Sequence, residues 1–404
     1  MRLLPRWLLA WILLLSASAF GQAAPDLAAS DQLIVDEFAC RGNVATSCDF
    51  ILGHIYLAPG DTLDEEELAN ARLRLSSLPS FRSVDIYLEK GSARGHVRVV
   101  IEVAEADPYI REWLAGTSLR FDRPTQLLTG RLTHQNLFGT GKLLDLTMLA
   151  LVPFDGQPRD EYSARVQYID PHWLGSKRTF LIGGVSGGYS DHQDRNEVRT
   201  RIDNIGFDVT VGRRIFDFSY LSVFYRHNTL AHVEQVLPTL DGGVERRSDS
   251  FTNHVLVANY GWNSEDHPYF PTRGSRASLS WSWISTLEGE TLLDGGFRKT
   301  WTTDGGTSWL VQVSEAPGTE YRSQITEQFA WTVGVARPIA GSADGEVRRG
   351  RWYVEAGYEM GHNVGGEHER EYGLKLGVRL ETRSFGMVEL YVIGSGIDKR
   401  RSGQ

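Results

Sequence analysis

The amino-acid sequence of 404 residues predicts a small α+β domain followed by an all-β, transmembrane, antiparallel β-barrel. About 16 strands are expected, and 15 is the alternative. Three observations predict this architecture. The chain opens with an export signal, a segment of mixed helical and strand periodicity follows, and only alternating apolar and polar segments come after residue 110.

Residues 1–24 predict a cleaved signal peptide. Arg2 and Arg6 precede the apolar run WLLAWILLLSASAF, which is short for a bilayer span. Ala17 and Ala19 fit a cleavage site, with Ala23 as a second candidate. The mature chain is therefore expected to be exported.

Composition narrows the class of protein. A net charge of −9 gives no basic field for nucleic acid. The mean hydropathy of −0.28, without a later run of 18 apolar residues, excludes a helical membrane protein. A membrane protein of this composition must spread its apolar surface over alternating strands, as a closed barrel does.

Residues 31–105 predict a domain with the order strand, helix, helix, strand, strand. The second helix is expected to open on Thr62, because Glu65 three residues later completes a capping box. Pro79 ends it. Its apolar face is predicted to consist of Leu68, Ala71, Leu75 and Leu78.

The sequence has two cysteines, Cys40 and Cys48, both in this domain. In an oxidising compartment they are predicted to form a disulfide. Metal binding is the weaker interpretation, since neither a His nor a second Cys pair stands at ligand spacing.

Residues 110–404 predict the barrel. In the stretch RASLSWSWIS, Leu279, Trp281 and Trp283 share one face, and serines share the other. A soluble sandwich also alternates, but it needs a second sheet over each apolar face. Tight turns such as TTDGG alternate with long connections such as LAHVEQVLPTLDGGVERRSDS, which favours an outer-membrane barrel with those three side chains facing lipid.

Two sets of residues carry a family resemblance. LAPGDTLDEEEL, LSSLPSFRSVDIYL and VRVVIEVAEAD resemble a POTRA domain, a periplasmic module of outer-membrane assembly proteins. NLFGTGK, DPHWLGSKRTF and DHPYFPTRGSR resemble periplasmic turns of the BamA and TamA superfamily, the bacterial surface antigen barrels. The resemblance implies a single POTRA domain in the periplasm and a barrel of sixteen strands in the outer membrane.

The chain also departs from that family. The family's lumen loop has a tip similar to V-R-G-F, whereas SEAPGTEYRSQITEQ is short and lacks it, so Arg322 is only the nearest candidate for the loop arginine. The last predicted strand is MVELYVIG. The segment SGIDKRRSGQ after it is predicted not to cross the membrane, because it is poor in apolar residues and basic. An even strand number is slightly favoured.

The resemblance implies insertion or translocation of polypeptides or lipids at the outer membrane, with outer-membrane lipid and an unfolded polypeptide or lipid client as partners. The alternative is a structural or pore-forming barrel that has lost this machinery. An enzyme is not expected: His192, His362 and His368 lie in polar segments without a nucleophile motif. No catalytic, cofactor or metal site is predicted, and homo-oligomerisation stays open.

Overall fold

The computed structural model describes residues 33–78, 80–119, 125–153, 160–193, 199–216, 218–238, 244–267, 270–285, 290–316, 325–339, 341, 346–363 and 367–401. They form an N-terminal module with its own three-stranded sheet, followed by a closed barrel. In this part of the chain, no helix is long and apolar enough to cross a membrane.

The N-terminal module has the predicted element order. It contains β1 (Ile34–Arg41), α1 (Cys48–Leu52), α2 (Glu65–Ser76), β2 (Phe81–Lys90) and β3 (His96–Glu105). The sheet order is β1-β3-β2, with β1 parallel and β2 antiparallel to β3. Both helices pack on one face of this sheet around a core that includes Val35, Ile51, Ala71, Leu75, Val99 and Ile101.

The start of α2 differs from the prediction. The N-cap is Asp64, not Thr62, and its carboxylate accepts hydrogen bonds from the backbone N–H groups of Glu66 and Glu67. Thr62 forms a bridge with Ile34, and Leu63 N–H donates to the carbonyl of Leu33. Because these two residues extend the edge of β1, the helix cannot begin before Asp64.

Fifteen strands of the described chain close into the barrel in chain order, and the last returns to the first. They are β4 (Tyr109–Ser118), β5 (Thr125–Leu137), β6 (Lys142–Pro153), β7 (Glu161–Asp170), β8 (Thr179–Gln193), β9 (Arg199–Arg214), β10 (Ser219–Pro238), β11 (Val244–Asn263), β12 (Gly274–Ile284), β13 (Glu290–Thr302), β14 (Ser308–Ala316), β15 (Ile325–Ile339), β16 (Val347–Asn363), β17 (Glu367–Thr382) and β18 (Gly386–Arg401). The alternative of 15 strands is therefore correct, and the preference for an even number is wrong.

The odd strand number fixes the direction of the closing strand. Neighbours pair antiparallel throughout, except that β18 pairs parallel with β4. We call the end where β4 begins, next to the N-terminal module, the module-side rim, and the opposite end the far rim. The turns after β5, β7, β11 and β17 lie at the module-side rim, whereas Arg401 at the end of β18 lies at the far rim.

The segment SGIDKRRSGQ was predicted to follow the last strand, MVELYVIG, without crossing the membrane; the structure extends that strand into it. Up to Arg401 it belongs to β18 and pairs with the start of β17. The register sets Lys399 opposite Glu369 and Arg401 opposite Glu367. A membrane crossing needs about ten residues, so this charged end of a 16-residue strand extends beyond the apolar band.

Connections predicted as long polar loops are also largely strand. β10 and β11 each contain 20 residues, about twice the length of a membrane crossing. Both extend past the far rim as a hairpin, because their backbone groups continue to pair with each other. Polar composition indicated exposure to water there, which a strand above the membrane also provides.

The two faces of the barrel wall have opposite character. Leu279 and Trp281 lie on the outward face, 42% and 43% exposed, and Trp283 shares that face further along β12. Ser280 faces inward and donates a hydrogen bond to Asn259 Oδ1 at 2.9 Å. Contact of the outward face with lipid stays a prediction.

Candidate functional site: the module–barrel junction and the barrel seam

The β5–β6 turn docks on the N-terminal module. Asn136 Nδ2 donates to Thr46 Oγ1 at 2.9 Å, and Ser47 N–H donates to the carbonyl of Gly139 at 2.7 Å. Gly141 has a φ of 67°, and a Cβ there would lie 1.9 Å from the ring of Phe50. Gly141, the second glycine of the NLFGTGK motif, is therefore required because its φ is positive and because α1 approaches it closely.

The β7–β8 turn supplies a second contact, built from aromatic rings. The rings of His54 and His172 lie 4.9 Å apart, centroid to centroid, and Phe50 lies 5.5 Å from His172. Gly53 allows this approach, because a Cβ there would lie 2.2 Å from the His172 ring. Burial, with His172 nearby, lowers the pKa of His54 to about 3, and burial beside Arg214 lowers that of His172 to about 4. Both rings are neutral at pH 7.

A third contact surrounds Tyr56. The guanidinium carbons of Arg74 of the module and Arg178 of the barrel lie 4.3 Å and 4.7 Å from the centroid of its ring. Lys177 Nζ donates to the carbonyl of Ile55 at 2.9 Å. The NLFGTGK and DPHWLGSKRTF motifs thus form a junction that holds the module in one orientation.

The third turn motif, DHPYFPTRGSR, is held by its own hydrogen bonds. The Asp266 carboxylate accepts from the backbone N–H groups of Thr272 at 2.8 Å and Arg273 at 3.2 Å. Phe270 is buried beneath Arg349 and Arg351, whose guanidinium carbons lie 5.5 and 5.7 Å from its ring centroid. This turn therefore fixes the start of β16 at the module-side rim.

The barrel closes through a short seam, which we define as the pairing of Met387–Ile393 of β18 with Glu112–Ser118 of β4. It joins seven residues of each strand, fewer than any other pairing in the described barrel. It is also the barrel's one parallel pairing among the described strands, and parallel pairing is slightly less stable per residue than antiparallel pairing.

Side chains on the lumen face anchor each seam strand to its other neighbour. Glu389 of β18 accepts hydrogen bonds from Tyr353 Oη at 2.6 Å, Lys375 Nζ at 3.1 Å and Arg379 Nη2 at 2.7 Å, all on β16 or β17. Glu112 of β4 pairs with Arg131 of β5 at 3.1 Å. These charge-assisted bonds run away from the seam, so separating β18 from β4 would leave them intact.

One ring bridges the seam on the lumen face. Tyr391 of β18 lies over Gly116 of β4, where a Cβ would come within 2.1 Å of the ring. Neither Tyr391 nor Glu389 was identified from the sequence. The signal was available in the pattern, since Glu389 lies on the inward face of an apolar strand.

The structure scatters the side chains that the sequence singled out. Cys40 and Cys48 form a disulfide with Cα atoms 5.7 Å apart, in the module. Arg322 lies outside the described residues, as do the side chains of His192, His362 and His368. Beside His192, Asp191 is buried and pairs with Arg199 and Arg201, which explains its burial without catalysis.

An outward apolar band, a polar lumen and a docked N-terminal module define an outer-membrane type of β-barrel. Residues 136–330 match the family model described as the Omp85 superfamily domain. This part of the barrel is thus similar to an Omp85 superfamily domain, and the fold is that of an outer-membrane β-barrel.

Two solved CdiB structures share this fold. CdiB from Acinetobacter baumannii is 10% identical with a TM-score of 0.58, covering 88% of this chain and 69% of that one. CdiB from Escherichia coli is 11% identical with a TM-score of 0.57, covering 87% and 70%. BamA from Haemophilus ducreyi lacking POTRA domains 1-3 is 13% identical, covering 92% and 82%, with a TM-score of 0.48.

Proposed function

We propose that this protein inserts or translocates polypeptides or lipids at the outer membrane, with the N-terminal module acting as a POTRA domain in the periplasm. The observation that carries the proposal is the seam. It is short and parallel, and the ion pairs of Glu389 and Glu112 lead away from it. Opening the wall at this point would cost fewer interactions than opening it at any neighbouring pair.

The N-terminal module offers a place where an extended client could bind. β2 is an edge strand of the module's sheet, and such an edge accepts an added strand through its unpaired backbone groups. The other edge is less open, because Gly60 N–H donates to the carbonyl of Val35 and Val35 N–H donates to that of Asp61. We therefore assign client binding to β2.

A disulfide across the seam tests the proposal. Ala115 and Leu390 are register partners on its outward face, and paired strands bring Cα atoms within disulfide reach. Ala115→Cys with Leu390→Cys should lock the seam. In cells that depend on this protein, the locked barrel should change the levels of other outer-membrane proteins or lipids, and reduction should restore them.

The matched control locks the neighbouring pair instead. Leu376 and Val392 are partners between β17 and β18, so Leu376→Cys with Val392→Cys adds a crosslink but leaves the seam free. The control should behave as the wild type. If the seam lock changes no other component, the protein is not an insertase that opens there. The alternative, a structural or pore-forming barrel, then predicts conductance in a planar bilayer that is unchanged by either lock.

A further inference from the structure

A cleft of 410 Å³ lies at the base of the seam, between the N-terminal module and the barrel. The end of α2 and the start of β2 form its module side. The first residues of β4, β16 and β18 and the last residues of β17 form its barrel side. Both seam strands therefore begin at this cleft.

The described side chains that line the cleft carry an excess of positive charge. Two of its arginines pair with carboxylates: Arg111 with Asp107 at 3.5 Å, and Arg349 with Glu381 at 4.0 Å. Three further arginines have no carboxylate partner in the described part of the chain. They are Arg82, Arg348 and Arg383.

The cleft also contains His267, whose pKa is shifted mainly by burial. Burial, followed by the charge of Arg349, lowers the pKa of His267 to about 4, although Asp266 acts in the opposite direction. The histidine is thus neutral at pH 7 and adds a hydrogen-bonding group without a further charge. The net positive charge of the cleft therefore comes from the three arginines that have no carboxylate partner among the described residues.

The position of the cleft relative to the barrel wall indicates where a ligand would come from. Arg111 shares the outward face of β4 with Tyr109 and Trp113, both exposed. Glu381 shares the inward face of β17 with Arg379. The cleft therefore meets both the outer surface of the barrel, at the level where a strand leaves the apolar band, and the mouth of the lumen.

We propose that this cleft binds a phosphate group, the group that phospholipid headgroups and free phosphate share. Guanidinium forks bind phosphate oxygens through paired N–H donors, which is why arginine is favoured at phosphate sites. Three forks without carboxylate partners can converge on one anion, and the outward opening beside Tyr109 admits a headgroup whose acyl chains stay along the barrel. The site does not depend on the proposed insertion activity.

The test uses the full chain in neutral detergent. Native mass spectrometry measures how much phosphatidylglycerol is retained, with diacylglycerol as the probe that lacks phosphate. The wild type should retain the phospholipid and not diacylglycerol. Arg348→Gln with Arg383→Gln should reduce retention about tenfold, because two charge-assisted contacts are lost.

Arg273→Gln is the matched control, since Arg273 is exposed at the same rim but does not line the cleft. It should retain phospholipid like the wild type. If phospholipid is retained and the double variant retains as much of it as Arg273→Gln, or if diacylglycerol is retained as well as phospholipid, the site is overturned. If the double variant loses its folded electrophoretic mobility, each single variant replaces it, with about a threefold loss expected.

Inorganic phosphate separates the two sources of the ligand. Its binding is followed by the width of its phosphorus NMR signal, with and without the double substitution. Displacement of retained lipid by phosphate supports a lipid headgroup site. Phosphate binding that needs Arg348 and Arg383, without lipid retention, supports a site for free phosphate. Binding of neither probe overturns the proposal.

Discussion

The N-terminal module and the barrel use the same strand alternation with opposite polarity. In the module, apolar side chains such as Ile101 point into a core and are 0% exposed. In the barrel, Leu374 points outward and is 48% exposed, whereas Asp208 points inward and is 1% exposed. The module has helices that cover one face of its sheet, whereas the described residues of the barrel contain no α-helix.

This difference shows that alternation encodes two faces but not the solvent that each face meets. A helix over the sheet turns the apolar face into a core. Without such a layer, closure into a barrel leaves the apolar face outside. The polar side chains of the inner face then form hydrogen bonds and ion pairs with one another inside the lumen. Arg165 with Asp208, at 2.6 Å, is such an inward pair.

Residue 401 and the module should lie on opposite sides of the membrane. The odd strand number and the parallel seam place the end of β18 at the far rim. An epitope tag after Gln404 should be removed completely by protease added to intact cells. A tag near the module, between residues 91 and 95, should survive until the outer membrane is breached. Protection of the first tag would contradict the fifteen-stranded barrel.

The module should behave as a soluble core. Ile101→Ala should destabilise it by about 2–5 kcal/mol, because the deleted atoms leave a cavity that close packing cannot refill. Leu374→Ala in the barrel should cost much less, since surrounding lipid or detergent fills the space. Pulse proteolysis in urea measures both changes. Equal costs would mean that Leu374 is packed in a protein core.

The barrel should tolerate charge on one face only. Leu279→Arg should cost about 2–4 kcal/mol near the bilayer midplane. Ser280→Arg, which points toward Asn259 in the lumen, should cost far less. The measurement is reversible unfolding of the barrel in lipid vesicles. The reverse order of penalties would reverse the assignment of the faces.

The disulfide should matter to the module alone. Linking Cys40 and Cys48 closes a loop that stabilises the module by about 2–3 kcal/mol in the loop-entropy model. Cys40→Ser with Cys48→Ser should lower the module's midpoint in urea and leave barrel unfolding unchanged. Thiol labelling of the denatured, unreduced protein should find no free cysteine, and labelling of two would refute the bond.

The smallest change in stability should come from protonation of the two junction histidines as the pH is lowered. The folded pKa values of His54 and His172, about 3 and about 4, lie below the usual value of about 6.5. As pH falls, these histidines therefore bind protons in the unfolded chain before they do so in the folded one. Their contribution to the free energy of unfolding is fully present above pH 6.5 and is lost as pH falls toward 4. Between pH 7 and pH 5.5 each histidine should cost about 1 kcal/mol.

Proteolysis of the module at those two pH values measures this loss. His172→Gln should remove about half of the pH dependence, and His227→Gln, in the barrel wall, should leave it unchanged. A pH dependence that is the same in both variants would exclude the junction histidines as its cause.

Much of the fold could be predicted because local patterns were strong. The module's element order and the apolar face of α2 followed from periodicity, and turn motifs marked the module-side rim. The start of α2 could not be predicted, because pairing of Leu63 with Leu33 competes with the capping box at Thr62. The contact of His54 with His172 joins residues distant in sequence, and no local pattern encodes it.

The sequence by itself determined that this chain has an α+β module before a wall of alternating strands, because both periodicities are properties of neighbouring residues. Only the tertiary structure decided that fifteen strands close the wall and that β18 meets β4 in parallel. It also decided which side chains meet at the junction, the seam and the basic cleft. Closure is a condition on the whole sheet: β18 reaches Arg401 because β17 offers it partners up to Glu367, and no stretch of ten residues carries that information.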